Sequence, residues 1–146
     1  MTNYRKHLSE PWFSLVKLNM KVAEGRLKKA PFNEMKIGDT ITFYNSDFNH
    51  RETTVKITGI REYPDFESYL RRETLRRSLP GSTTISDGLS VYRKYFTEEQ
   101  ERELGVIVIC FEEISKTRFK DPIQVLLQGE NIGLKWINDG GVFDRK

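Results

Sequence analysis

The sequence predicts an α+β fold in which a small, barrel-like β-sheet carries helices against it. Thr40 to Tyr44 alternates apolar and polar residues with period two, so Ile41 and Phe43 face a core while Thr40, Thr42 and Tyr44 face outward. Val106 to Phe111 is continuously apolar, the pattern of a central strand buried on both sides. Apolar residues recur at helical spacing behind start signals at Ser9-Glu10-Pro11, Asp65, Ser86-Asp87-Gly88 and Thr97.

Taken in order, Met1 to Leu8 is polar, with Tyr4, His7 and Leu8 consistent with a short first strand. Ser9-Glu10-Pro11 then starts a helix, because a serine side chain caps unpaired amides and proline has no donor to leave unpaired in a first turn. Trp12, Leu15, Val16 and Leu18 form its apolar face, which reads Trp12 as core ahead of a base-stacking role. The stretch from Lys21 to Tyr44 organises the rest: a charged segment, the Gly38-Asp39 turn, and the alternating strand. If residues 21–26 are extended, Glu24 and Arg26 share a face opposite Lys21. They then either pair with each other or meet a ligand, and Gly25 between them permits close backbone approach or a bulge. Lys28 and Lys29 are a solvated surface or a phosphate contact. Asn45 to Glu52 is a loop whose His50 has no second His or Cys near it, which favours plain solvent exposure over metal ligation. Thr53 to Tyr63 has the length of a barrel strand, with Gly59 as its bend or bulge.

After Pro64 the period changes. Phe66, Tyr69 and Leu70 share a helical face behind an Asp65 cap, and Leu75 falls off that face, which predicts a break near Thr74. Arg71, Arg72, Arg76 and Arg77 lie here, opposed locally by Glu73 alone; arginine matches phosphate geometry, and an exposed helix face is the alternative reading. Leu79-Pro80-Gly81-Ser82 is a turn. A helix then runs from Ser86 through Tyr92 to about Phe96, and its end interleaves Tyr92, Arg93, Tyr95 and Phe96, with Tyr92 and Tyr95 as core anchors or stacking groups. Thr97-Glu98-Glu99-Gln100 is a capping box, and Gly105 ends the short helix it opens. Beyond the central strand, Thr117 to Asp121 connects to expected strands at Ile123 to Leu127 and Asn131 to Ile137, with Trp136 inward.

With 146 residues the chain has the length of one ordinary domain. Its 24 Lys and Arg against 21 Asp and Glu give a net charge of +3, too small to indicate nucleic-acid binding unless the charge clusters. The single cysteine, Cys110, excludes an internal disulfide framework and a cysteine-built zinc site. No segment reaches the roughly 20 apolar residues needed to span a bilayer, and no leader is recognisable, so a cytoplasmic or otherwise intracellular protein is expected. With two histidines and no glycine-rich phosphate loop or serine elbow, no metal site and no cofactor are expected.

The order Lys21, Glu24, Gly25, Arg26, Leu27, then Ile37-Gly38-Asp39 and an apolar strand, resembles the ASCH domains (activating signal cointegrator homology) of the PUA-like superfamily. Leu79-Pro80-Gly81, Tyr92 to Glu99 and Gly105-Val106 form a second matching block. The resemblance covers roughly Ser9 to Ile114, leaving about 115–146 as an extension of a single domain. It implies a PUA-like small β-barrel of about five to seven strands with helices flanking a cleft, Lys21 and Arg26 pointing into or rimming that cleft, the Tyr92 segment beside it, and RNA or a nucleoside as partner. It also resembles the bacterial acetylcytidine amidohydrolases of that family, which have a lysine and an arginine at the positions of Lys21 and Arg26 but a nucleophilic threonine where this chain has Glu24. A carboxylate cannot repeat that acyl-ester route.

Three functions follow as expectations. In the first, an RNA-binding module, phosphates meet Arg71, Arg72, Arg76, Arg77 and Lys28, while Lys21, Glu24, Arg26 and Tyr92, flanked by Arg93 and Tyr95, line a pocket for a base or nucleoside. In the second, a ribonuclease or nucleoside amidohydrolase, Lys21 stabilises negative charge and Glu24 or Glu73 is a general base with a pKa raised by the pocket. The third is protein interaction through the tail around Trp136.

Overall fold

The computed structural model describes residues 1–115. Five strands, β1 (Asn3–His7), β2 (Ala23–Leu27), β3 (Thr40–Asn45), β4 (Arg51–Tyr63) and β5 (Val106–Glu113), form one sheet in the order β1-β3-β4-β5-β2. β1 runs parallel to β3, and the remaining pairs are antiparallel. Among the described residues the sheet curls into a half-barrel with β1 and β2 as its edges, the α+β, PUA-like architecture expected. The helices are α1 (Trp12–Lys17), α2 (Phe66–Glu73), α3 (Leu75–Ser78), α4 (Ile85–Arg93) and α5 (Glu98–Leu104), with a 3-10 turn at Phe32–Glu34.

β5 divides the interior into two cores, which is why its sequence is apolar without alternation. Ile107, Ile109 and Phe111 pack with Phe13, Val16, Phe32, Ile41, Phe43 and Val55, whereas Val106, Val108 and Cys110 pack with Leu27, Phe66, Tyr69, Leu70 and Tyr92 from the helical side. Trp12 touches both cores. In β4, Ile57 stands opposite Phe111 and Gly59 opposite Cys110, so Thr58 is the extra residue of a bulge beside the predicted glycine. β4 starts at Arg51, two residues before the predicted Thr53.

Local signals behave as their chemistry demands, with three corrections. Asp65 accepts from the Ser68 amide at 2.7 Å, Thr97 and Gln100 close a complete capping box, and Thr74, at φ 75°, breaks α2 from α3 where the apolar face predicted a break. Before α1, however, Glu10 rather than Ser9 takes the unpaired amide: its carboxylate accepts from the Ser14 amide at 3.0 Å and the Ser14 hydroxyl at 2.8 Å, an ionised acceptor outcompeting a hydroxyl. Leu18 is 67% exposed, and fully buried Phe13 holds the core position beside Val16 instead. Thr42 stands on the face opposite Ile41 and Phe43 as expected but is buried there, where it exchanges a hydrogen bond with the Thr54 hydroxyl across the sheet at 3.0 Å. The connection at Thr117 to Asp121 and the expected strands around Ile123 to Leu127 and Asn131 to Ile137, Trp136 included, lie outside the described residues. Among the described residues no helix is long and apolar enough to cross a membrane.

Candidate functional site

Directly opposed residues of antiparallel strands share a face. Glu24 and Arg26 stand opposite Ile109 and Ile107, so both project to the concave side of the sheet at its β2 edge. Gly25 turns the other way, and the Tyr69 ring lies so close that a β-carbon at Gly25 would stand 2.4 Å from its Cε2. The close-approach reading of Gly25 is therefore the right one of the two.

Lys21 corrects the strand expectation. It precedes β2 instead of occupying its opposite face, and its fully buried side chain folds back onto Glu24. Its Nζ donates to Glu24 Oε1 at 2.9 Å, to the Ala23 carbonyl at 2.7 Å and to the Ser78 carbonyl, so all three ammonium donors are satisfied. The second Glu24 oxygen accepts from Arg26 Nε at 2.7 Å. Burial by itself would raise the Glu24 carboxyl, but the Lys21 ammonium and the Arg26 guanidinium overcome it and hold the group below the usual carboxylate range. Burial likewise pushes the Lys21 ammonium down, against the opposing pull of Glu24. The triad is a fixed, ionised unit.

Beside this unit opens a cavity of about 350 Å³. Glu24 and Arg26 provide its charged groups; His7, Leu8, Ser9, Trp12, Leu79, Val91, Tyr92, Tyr95 and Phe96 complete the lining. Trp12, half-buried and packed on both cores as expected, also lines the cavity, with Lys21 Nζ 5.8 Å from its ring centroid. Tyr92 stacks on Phe66 at 4.4 Å and shares a 2.8 Å hydrogen bond with the Tyr69 hydroxyl, which fixes its ring. Burial pushes the Tyr92 hydroxyl well above its ordinary pKa. Tyr95 is 58% exposed, its hydroxyl 3.4 Å from Ser9 Oγ.

Of the residues singled out in the sequence, Lys21, Glu24, Arg26, Tyr92 and Tyr95 come together. Arg93 does not line this cavity; it pairs with Glu101 at 2.8 Å and lies over Phe66. Lys28 pairs with Glu62 at 2.8 Å on the surface. The arginine cluster divides: Arg71 pairs with Glu67 at 2.9 Å and Arg77 with Glu73 at 3.3 Å, while exposed Arg72 and Arg76 make no ion pair among the described residues. Glu73 is absent from the cavity lining. It accepts from Arg61 at 2.5 and 2.9 Å and from the Tyr63 hydroxyl at 2.5 Å, and the Arg61 hydrogen bonds lower its pKa, the reverse of the expected rise. His7, Leu8, Ser9, Leu79, Val91 and Phe96 were not legible as site residues. Only the i,i+4 spacing of Tyr92 with Phe96 and of Val91 with Tyr95 pointed to a shared wall.

A curled five-stranded sheet whose edge carries a buried ion triad beside an aromatic cavity defines the class: an α+β domain of the PUA-like kind. A family model for the ASCH domain matches residues 7–115, and the chain belongs to that family. The crystal structure of the hypothetical protein PH0355 is 34% identical in sequence, superposes with a TM-score of 0.70, and covers 77% of this chain and 100% of its own. The solution structure of protein PF0455 from Pyrococcus furiosus is also 34% identical, with a TM-score of 0.64 over 77% of this chain and 98% of that one. An ASCH domain from Lactobacillus crispatus, 13% identical with a TM-score of 0.52 over 75% of this chain and 79% of its own, shares the fold. No curated protein sequence matches the chain at a significant level.

Proposed function

We propose that the domain binds RNA by drawing one nucleoside into the cavity at the β2 edge. The observation that carries this reading is the fixed, ionised Glu24–Arg26 pair set among Trp12, Tyr92, Tyr95 and Phe96. Aromatic faces stack unpaired bases, and a carboxylate beside a guanidinium offers an acceptor and a donor to base edges. The cavity volume falls in the range of about 300–1,000 Å³ usual for small-molecule sites. Exposed Arg72 and Arg76 lie on the chain segment that leads into cavity residue Leu79, and they are the members of the arginine cluster free to meet the RNA backbone.

Hydrolysis receives less support from the geometry. A general base working near neutral pH needs a raised carboxylate pKa, whereas Glu24 and Glu73 are both held below their ordinary value by cationic partners. Trp12 supplies the direct test. With Trp136 replaced by Phe, Trp12 is the one remaining tryptophan, and its emission should quench on titration with single-stranded RNA and with nucleosides. Unchanged emission together with no mobility shift of labelled RNA at low salt would refute the reading.

A further inference from the structure

Among the described residues the half-barrel is open between its edge strands, and the opening carries a cluster of cations of which only Arg26 also lines the nucleoside cavity. β1 and β2 do not pair with each other. Buried Phe32, from the 3-10 turn after β2, receives a cation from each: Lys6 Nζ of β1 lies 5.3 Å from its ring centroid and Arg26 Cζ of β2 lies 4.9 Å from it. Lys29 adds a third positive charge close enough to act on Lys6. Lys6 and Lys29 make no ion pair among the described residues, and Glu34, the carboxylate on the same turn, pairs with none of the three. Glu24 bonds Arg26 through Nε but is already balanced by the buried Lys21 ammonium, so an excess of positive charge remains. The other guanidinium nitrogens of Arg26 make no hydrogen bond among the described residues. The Lys6 ammonium is pushed below its ordinary pKa first by burial and then by Arg26 and Lys29, as expected where like charges gather without a counter-ion.

We propose that this seam is a phosphate site, in which Lys6, Lys29 and the free edge of Arg26 hold the phosphate of the nucleotide whose base occupies the cavity. Arg26 belongs to both places, which makes the two sites contiguous. The ligand class is thereby a nucleotide, a nucleoside carrying a phosphate, in preference to a bare nucleoside; the inference rests on the nucleoside reading of the cavity. A forked guanidinium with a nearby ammonium suits a phosphate through directed donors and a point charge together.

The test is calorimetric titration of the full chain at low salt with nucleosides, their 3′- and 5′-monophosphates and inorganic phosphate, repeated for Lys6→Gln and Lys29→Gln. At the usual strength of a charge-assisted hydrogen bond, the preferred monophosphate should bind about tenfold tighter than its nucleoside, and Lys6→Gln should remove most of that gain while leaving nucleoside affinity unchanged. A monophosphate no tighter than its nucleoside, or a gain that survives in both variants, overturns the proposal. Phosphate and monophosphate binding that depends on Lys6, with no nucleoside binding, would uphold the anion site and sink the cavity reading instead. Trinucleotides with and without a 5′-phosphate separate the two sources of the group. A gain confined to the phosphorylated form assigns the site to an RNA end, and equal gain in both forms assigns it to an internal phosphate.

Discussion

Lys21 spends all three ammonium donors within the fold, on Glu24 and on the Ala23 and Ser78 carbonyls, and so supports Glu24 structurally. Removing it leaves a buried carboxylate with only Arg26, so Lys21→Ala should destabilise the fold by about 3–5 kcal/mol in urea unfolding, with loss of binding following from loss of the floor. The pH dependence has a definite sign. Because the folded-state pKa of Glu24 lies below its ordinary 4.5, its contribution is present above that value and is lost as pH falls through the folded value. The stability difference between the wild type and Glu24→Gln should therefore shrink below about pH 4.5, measured by urea titration at a series of pH values. Gly25→Ala drives a methyl into the buried Tyr69 ring, and overpacking of this kind costs about 1–3 kcal/mol. The residue types of the site were visible in the sequence. The partnership of Lys21 with Glu24 was not, because the period-two reading ran the strand from residue 21, whereas β2 starts at Ala23.

At the scale of elements, α2 and α5, which start at side-chain caps, were legible to within a residue or two, whereas α4 stops at Arg93, three residues before its expected end near Phe96. The Thr97 hydroxyl accepts from the Gln100 amide at 3.1 Å and the Gln100 side chain returns to the Thr97 amide at 2.9 Å, both within four residues. Thr97→Ala should cost about 1 kcal/mol, read as a shift in the denaturant midpoint without a change of slope. The start of α1 was less legible because Ser9 and Glu10 competed for one role. Glu10 also bonds Arg51 at 2.9 Å, a contact from a distant strand that fixes the winner. The Thr58 bulge was foreshadowed by Gly59, since a glycine in a strand interior marks the place where the ladder gives way.

For the whole molecule, the distribution of positive charge decides how RNA would be engaged. Arg72 and Arg76 face solvent without acidic neighbours in ion-pair reach among the described residues, whereas Arg71 and Arg77 are already paired. Replacing Arg72 and Arg76 together by Ala should flatten the salt dependence of RNA binding by about 1.4 in log–log slope, from about 0.7 per phosphate on single strands, while the Arg71 and Arg77 pair should have a smaller effect. Filter binding across a salt series checks both. The sequence by itself determined the α+β class, the strand buried on both faces, the Asp65 and Thr97 caps and the family, because each is written in local periodicity, turn chemistry or a short ordered motif. Only the tertiary structure decided that Trp12 and Phe96 share a cavity with Glu24, that Glu73 belongs to Arg61 elsewhere, and that Lys6 and Arg26 meet over Phe32. Those contacts join residues distant along the chain, and their geometry depends on how far the sheet curls, which no local pattern specifies.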